Sequence, residues 1–157
     1  MSCSCCGQDK PTVALRARPD LALCRDCAGW LTRQLGVIST PILPVADMGE
    51  AIAFYERAGF GVRVYDDGTG AEAGFAFVDH DGQSVFDLDT VGDLEPSANH
   101  AGCYLVVDDA DIWHARFLDA GLAVTPVADQ PWGMREFEFD DPSGNHIRVG
   151  RAIAGDD

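Results

Sequence analysis

Five of the six cysteines lie within the first 27 residues, and four of them form two pairs. Cys3 and Cys6 are separated by two residues, as are Cys24 and Cys27, and 17 residues lie between the pairs. This spacing is typical of four thiolates that bind one zinc ion tetrahedrally and leave no coordination position for catalysis. A disulfide cluster is the alternative, disfavoured because the first residues lack the apolar centre of a secretion signal. We therefore expect a structural zinc site at these four cysteines, with Cys5 outside it.

The rest of the chain lacks the common sequence patterns of catalysis. It contains no Gly-x-Ser-x-Gly motif, no phosphate-binding glycine loop and no dinucleotide fingerprint. The sixth cysteine, Cys103, stands alone in an apolar segment and is expected to be a buried, inert thiol. No residue is assigned a catalytic role, and the sequence favours a binding protein over an enzyme.

An aromatic side chain in a loop is the strongest indication of a ligand site. Trp132 and Gly133 belong to a Pro-Trp-Gly segment directly before a predicted strand, where core packing rarely requires an indole. An exposed indole can stack on planar rings and on cations. Tyr65 and Tyr104 are further candidates for this surface, although core packing explains Tyr104 equally well.

Charge is distributed unevenly along the chain, whose net charge is −15. Residues 1–36 contain five basic and three acidic residues (net +2), whereas the other 121 contain six basic and 23 acidic residues (net −17). This balance argues against nucleic acid as a partner and favours a cationic ligand, although an acidic surface also serves solubility. Asp66 and Asp87 are candidate ligand-binding carboxylates. The change in charge indicates a domain boundary near Gly36.

The composition is that of a folded protein. Apolar residues make up 46% of the chain and charged residues 24%, which is enough for a hydrophobic core. Uncharged stretches are too short to span a membrane, and the first ten residues do not resemble a signal peptide. We expect a soluble, cytoplasmic protein without a membrane partner.

The elements that must position the candidate residues form two similar sets. The first opens with an apolar strand at 37–45, after which Asp47 caps a helix that Gly59 ends. Three strands follow, separated by Asp-Gly turns at Asp67 and Asp81. These strands are expected at 60–66, 73–79 and 83–88.

The second set repeats this order. A strand at 101–107 precedes a helix that begins after Asp108 or Asp109 and ends at Gly121. Strands are then expected at 122–127, 135–139 and 146–149. The repetition predicts an α+β domain at 37–153 built from tandem βαβββ repeats at 37–92 and 97–153, preceded by the zinc-binding segment 1–36. One helix covers one face of each sheet, so the other face is free to form a ligand groove.

Alternation along the predicted strand 135–139 indicates which residues face that groove. Phe137 and Phe139 alternate with Glu136 and Glu138. If the phenylalanines pack beneath the helix, the glutamates face the groove or solvent.

Four segments resemble one superfamily: 41–47 (PILPVAD), 54–60 (FYERAGF), 131–137 (PWGMREF) and 141–145 (DPSGN). They are similar to the glyoxalase/bleomycin-resistance, or vicinal oxygen chelate, superfamily, and the segment with Trp132 is most like its bleomycin-binding resistance proteins. In such proteins this Trp stacks on the planar rings of the drug, and the repeats of two subunits pair. The resemblance therefore implies a drug-stacking role for Trp132 and a homodimer.

Enzymes of this superfamily usually hold a divalent metal ion with His and Glu from the first and last strands of each repeat. The resemblance places at those positions Thr40, Asp87, Gly102 and Arg148. Only Asp87 is an anionic ligand, and His100 is a weaker candidate two residues from one position. Because a single carboxylate does not hold a catalytic metal ion, an enzyme of the usual design is disfavoured.

Segments 3–7 (CSCCG) and 23–31 (LCRDCAGWL) resemble the zinc-binding domain at the head of the Clp protease unfoldase. The resemblance implies a small treble-clef-like finger in which the second cysteine pair opens a helix. Such fingers serve self-association or the docking of a protein partner. A segment this short needs the ion to fold.

Three functions therefore compete. The favoured one is a protein that sequesters a cationic or planar antibiotic of bleomycin type and confers resistance without turnover. The alternatives are a metal-dependent lyase, isomerase or dioxygenase with unusual ligands, and an adaptor whose finger docks a protein partner. The only cofactor expected for the favoured function is the structural zinc ion.

Overall fold

The computed structural model describes residues 12–15, 18–24, 39–69 and 74–153. The chain divides into two units, Met1–Ser39 and Thr40–Asp157. In the first unit, strands β1 (Thr12–Leu15) and β2 (Arg18–Cys24) pair antiparallel.

The cysteines expected to bind zinc fall mostly outside this description. Cys24 is the last residue of β2. Cys3, Cys6 and Cys27 lie outside the described residues, as does Cys5. The zinc site and the helix expected after the second cysteine pair therefore stay predictions.

The first repeat has the predicted order of strand, helix and three strands. Its elements are β3 (Ile42–Val45), α1 (Met48–Arg57), β4 (Gly61–Val64), β5 (Phe75–His80) and β6 (Gln83–Thr90). They form a sheet of order β3-β6-β5-β4, in which only β3 and β6 are parallel. Asp47 caps α1 as predicted, because its Oδ1 accepts a hydrogen bond from the backbone N–H of Glu50 at 2.8 Å. Asp81 and Gly82, with φ of 51° and 73°, form the turn between β5 and β6.

The second repeat has the same order and sheet topology. Its elements are β7 (Gly102–Val106), α2 (Ala110–Asp119), β8 (Ala128–Asp129), β9 (Met134–Asp140) and β10 (His146–Ala152), in the sheet order β7-β10-β9-β8. Of the two candidate caps, Asp109 is the N-cap of α2 and accepts from the backbone N–H of Asp111 at 3.0 Å and of Ile112 at 3.1 Å. A short 3-10 helix, Pro96–Ala98, precedes β7, and none of the described helices is long and apolar enough to cross a membrane.

The strand predicted at 122–127 is wrong. The chain there is irregular, and only the two residues of β8 pair with β9. The ladder with β9 breaks at Thr125, whose side chain provides one of the two hydrogen bonds to Glu138. Thr125 donates its N–H to Glu138 O at 2.9 Å, and its hydroxyl, rather than a backbone carbonyl, accepts from Glu138 N at 2.9 Å.

Both repeats contribute to one hydrophobic core. Phe60, at the end of the first helix, has its ring 5.8 Å from that of Trp113 and 6.3 Å from that of Phe117 on α2. Phe54 on α1 lies 6.0 Å from Phe139 on β9. Aromatic side chains that pack the helices against the sheets therefore also pack the two repeats against each other.

A buried polar turn also joins the repeats. It spans residues 141–145, between β9 and β10, and Asp141, Ser143 and Asn145 in it are at most 5% exposed. Asp141 Oδ2 accepts from the hydroxyl of Tyr55 on α1 at 2.8 Å. Asn145 Nδ2 donates to Pro44 O at 2.8 Å, and Ser143 Oγ accepts from Ala46 N at 3.0 Å. The turn of the second repeat thus anchors the strand and helix that open the first.

Candidate functional site

Each sheet has one face packed on its helix and one open face. In β9, Phe137 and Phe139 are 1% and 4% exposed, and Phe137 lies 5.7 Å from Phe117 of α2. The predicted packing of these phenylalanines beneath the helix is confirmed. Glu136 and Glu138 therefore lie on the open face.

Tyr104, Trp132 and Glu136 form a cluster on the open face of the second sheet, here termed the aromatic–carboxylate cluster. The Tyr104 hydroxyl donates to Glu136 Oε2 at 2.7 Å. Trp132 Nε1 donates to the same oxygen at 3.4 Å. Tyr104 is 37% exposed and Trp132 60%, whereas Glu136 is only 2% exposed. Tyr104 therefore lies on the open face of the sheet and not in the core.

Two glycines shape this cluster. Gly133 has φ of +81°, and its N–H donates to Gln130 O at 3.0 Å, which makes the turn that holds Trp132 outside the sheet. Gly150 on β10 lies beneath Tyr104, where an added Cβ would overlap the phenol oxygen and approach the Glu136 Cβ to 2.7 Å. Glycine at 150 therefore allows the Tyr104 ring to reach Glu136.

Burial and the neighbouring carboxylate change the acid–base properties of Tyr104. Burial, together with the hydrogen bond to Glu136 and the carboxylate's negative charge, raises the pKa of Tyr104 to about 12. The positive charge of Arg148 offsets part of that rise. The phenol thus remains a neutral donor across the physiological range.

The ionisable side chains next to the cluster contact one another in pairs. Arg148 Nε lies 3.0 Å from Glu138 Oε1. His146 lies between two carboxylates, with Nε2 3.1 Å from Glu138 Oε2 and Nδ1 2.8 Å from Asp140 Oδ1. The open face of the second sheet therefore has paired acidic and basic groups beside the exposed indole.

The open face of the first sheet combines aromatic rings with the carboxylates of Asp87 and Asp89. Asp87 is the register partner of Phe77, over whose ring the guanidinium carbon of Arg63 lies at 4.3 Å. Tyr65, 54% exposed, has its ring 6.5 Å from that of Phe77. Burial raises the pKa of Asp87, and the positive charge of Arg63 counteracts that rise.

The structure separates the six predicted ligand-binding residues into groups. Trp132, Gly133 and Tyr104 lie together on the second sheet, and Tyr65 and Asp87 lie on the first. Among the described residues, no hydrogen bond or ring contact joins one group to the other. Their roles in binding stay predictions.

Asp66 belongs to neither group. It follows Tyr65 in an exposed turn, where its Oδ1 accepts from Gly68 N at 2.8 Å. This hydrogen bond gives the carboxylate a local role in the turn. Glu136, in contrast, is central to the cluster but is absent from the predicted ligand-binding set. The sequence feature that could have identified Glu136 is its alternation with Phe137 along the predicted strand.

A family model agrees with this architecture. Residues 35–149 match the Glyoxalase/Bleomycin resistance protein/Dioxygenase superfamily. The chain belongs to this superfamily.

Three known proteins illustrate what this chain is similar to in sequence and in structure. A protein of Klebsiella pneumoniae named "Bleomycin resistance protein" is 29% identical over 119 residues, which cover 71% of this chain and 89% of that one. The crystal structure of a bleomycin-binding protein complexed with bleomycin is 24% identical, with a TM-score of 0.64 and coverage of 73% and 98%, and shows the shared fold. TnmS3, an antibiotic binding protein from Streptomyces sp. CB03234, is 29% identical with a TM-score of 0.55 and coverage of 75% and 98%.

The positions at which enzymes of the superfamily usually bind metal hold unsuitable side chains here. Thr40 precedes β3, Gly102 begins β7, and Arg148 is paired with Glu138. Asp87 is the one carboxylate among the four, and the exposed His100 lies before β7. Within the described part of the chain, no group of three or more His, Cys, Asp or Glu is placed to hold a metal ion. These residues do not fit the usual metal site of the superfamily.

Cys103 lies on the core side of β7 and is half-buried rather than fully buried. Burial, with a smaller contribution from the negative charge of Asp141, raises the pKa of its thiol to about 11. A thiol with this pKa forms little thiolate at neutral pH, which agrees with the predicted low reactivity.

Proposed function

We propose that this protein binds and sequesters a planar, cationic antibiotic of bleomycin type and so confers resistance without chemical turnover. The observation that carries the proposal is the position of Trp132. Its indole is 60% exposed on an open sheet face, directly beside Tyr104 and a buried carboxylate. An indole in this position offers a stacking surface for a planar ring. The names of the Klebsiella pneumoniae relative and of TnmS3 support the same function.

Charge supports a cationic ligand. Residues 37–157 have a net charge of −17, and Glu136, Glu138 and Asp87 lie on the open sheet faces. Exposed charges interact over a Debye length of about 8 Å at physiological salt. Binding should therefore weaken as salt concentration rises.

Replacing Trp132 by alanine is expected to weaken binding of bleomycin by about 2- to 30-fold, the equivalent of about 0.5–2 kcal/mol of stacking and cation–π energy. Titration calorimetry of wild-type and variant chains measures this loss. Leu118→Ala is the matched control, because Leu118 is 52% exposed but lies on α2, which covers the opposite side of the sheet. Equal affinities of the Trp132→Ala and wild-type chains would contradict the proposal, as would turnover of an added substrate in the presence of a divalent metal.

We further propose that the protein forms a homodimer in which the open faces of two copies meet. The first strands of both repeats, β3 and β7, lie at sheet edges. Each presents a large apolar side chain to solvent, Ile42 at 57% and Val106 at 78% exposure. A surface of this kind is typical of an interface between subunits.

A charge placed on the exposed edge should weaken this association. Val106→Asp is expected to shift the protein from dimer towards monomer at micromolar concentration, measured by sedimentation velocity or small-angle scattering. Ile112→Asp, at a site that is 52% exposed on α2, should leave the dimer intact. A wild-type chain that is monomeric at these concentrations would refute the dimer.

For the amino-terminal segment we propose one structural zinc ion bound by Cys3, Cys6, Cys24 and Cys27. Their spacing supports this assignment. A finger of this type would serve association with a second copy or docking of a protein partner.

A further inference from the structure

Glu136 is a buried carboxylate, and only one of its two oxygens has a hydrogen-bond partner among the described residues. Its Oε2 accepts from the Tyr104 hydroxyl and from Trp132 Nε1. Its Oε1 is also buried and has no hydrogen-bond partner among the described residues. A buried carboxylate oxygen without a partner is costly to maintain, so a further hydrogen-bond donor at this oxygen would be stabilising.

The neighbouring basic side chains do not supply that donor. Arg148, on the adjacent strand, is paired with Glu138 at 3.0 Å. Arg135 precedes Glu136 but lies on the helix side of the sheet. There it donates to Asp111 and to Asp129, each at 2.7 Å. The negative charge of Glu136 is therefore available to a ligand.

Trp132 is held to this carboxylate weakly. Its hydrogen bond of 3.4 Å is long, and the indole is largely exposed. A small rotation of the indole therefore costs little, whereas the shorter bond of 2.7 Å from Tyr104 holds Oε2.

We propose that Glu136 recognises a cationic N–H donor group of the ligand, such as an amidinium, a guanidinium or a protonated amine, while the planar part of the ligand stacks on Trp132. This inference rests on the proposed function and adds the chemical class that the site selects. The ligand's N–H group donates to Oε1 and supplies the missing positive charge. The site should therefore discriminate between charged and uncharged molecules of the same ring system.

Two fluorescent probes test this selectivity directly. DAPI is a planar aryl amidine, and phenylindole is its uncharged parent ring system. Glu136→Gln keeps the size of the side chain but removes its charge, so it should weaken DAPI binding by about 10- to 100-fold, as expected for loss of a charge-assisted hydrogen bond. Binding of phenylindole should change by less than about threefold. Glu56→Gln, at an exposed position on α1, controls for the change in net charge.

A measurement on the wild-type chain keeps the inference testable if Glu136→Gln does not fold, which circular dichroism would show. DAPI should bind the wild type at least about tenfold more tightly than phenylindole does, as expected for a charge-assisted hydrogen bond. Equal affinities of the two probes for the wild type would overturn the inference.

The remaining outcomes separate the inference from the proposed function. If bleomycin binds the wild type but DAPI does not, or if Glu136→Gln affects DAPI and phenylindole equally, the role of Glu136 is refuted and the proposed function stands. If neither bleomycin nor the two probes bind, both fail.

Discussion

Asp141→Ala is expected to lower the free energy of unfolding by about 3–5 kcal/mol, because it removes the centre of a buried hydrogen-bond network. The Asp141 Oδ1 accepts from Ser143 N and Asn145 N, each at 2.9 Å. Its Oδ2 accepts from Tyr55 Oη and Asn145 Nδ2, each at 2.8 Å. Alanine would leave the buried Tyr55 hydroxyl and the Asn145 amide without this acceptor.

Urea denaturation followed by circular dichroism measures the loss. Asp140→Ala is the matched control, since Asp140 is the preceding residue and its side chain is 68% exposed beside His146. Loss of an exposed ion pair of this kind costs about 1 kcal/mol or less. Tyr55→Phe should give an intermediate loss of about 1–2 kcal/mol. Equal stabilities of the Asp141→Ala and Asp140→Ala chains would show that the network does not stabilise the fold.

The network also bears on the candidate site. The turn at 141–145 connects β9 and β10, which contain Glu136 and Gly150. It is anchored to Pro44 and Tyr55 of the first repeat. Loosening the turn should therefore disturb the aromatic–carboxylate cluster as well as overall stability, so ligand binding must be compared only between variants that remain folded.

Cys24→Ser is expected to remove nearly all zinc from the purified protein. Three remaining thiolates and a hydroxyl bind zinc far more weakly than four thiolates do, and a segment of this size depends on the ion for folding. Metal analysis of the wild type should give about one zinc per chain. Cys5→Ser should keep that zinc, because Cys5 lies between the two ligands of the first pair.

A Cys24→Ser chain with full zinc content would contradict the assignment. Chelator treatment offers an independent measurement. Removal of zinc should leave the cooperative unfolding of residues 40–153 and the binding of bleomycin unchanged, because the core residues that the structure describes all belong to the larger unit. A loss of bleomycin binding on chelation would instead indicate that a metal ion contributes to binding, either in the site, in the finger or on the drug itself.

Local patterns in the sequence determined the order of the elements. Asp47 and Gly59 mark the ends of α1, and Asp81-Gly82 marks a hairpin, because caps and tight turns depend on residues adjacent in the chain. The alternation of Phe137 and Glu136 likewise determined which residue faces the helix, since successive side chains of a strand point to opposite faces.

Only the tertiary structure decided which of the predicted ligand-binding residues lie close together. Residues 122–127 have an apolar pattern, but opposite β9 the Thr125 hydroxyl takes the place of a backbone carbonyl, and the result is an irregular segment with β8 alone paired. Tyr104 and Glu136 are 32 residues apart, and their hydrogen bond requires β10, with Gly150 beneath the phenol, to lie between β7 and β9. The same strand order buries the Glu136 oxygen that has no hydrogen-bond partner in the described part of the chain. Contacts of this kind depend on strand register and on small residues in a neighbouring strand, and no pattern of adjacent residues encodes them.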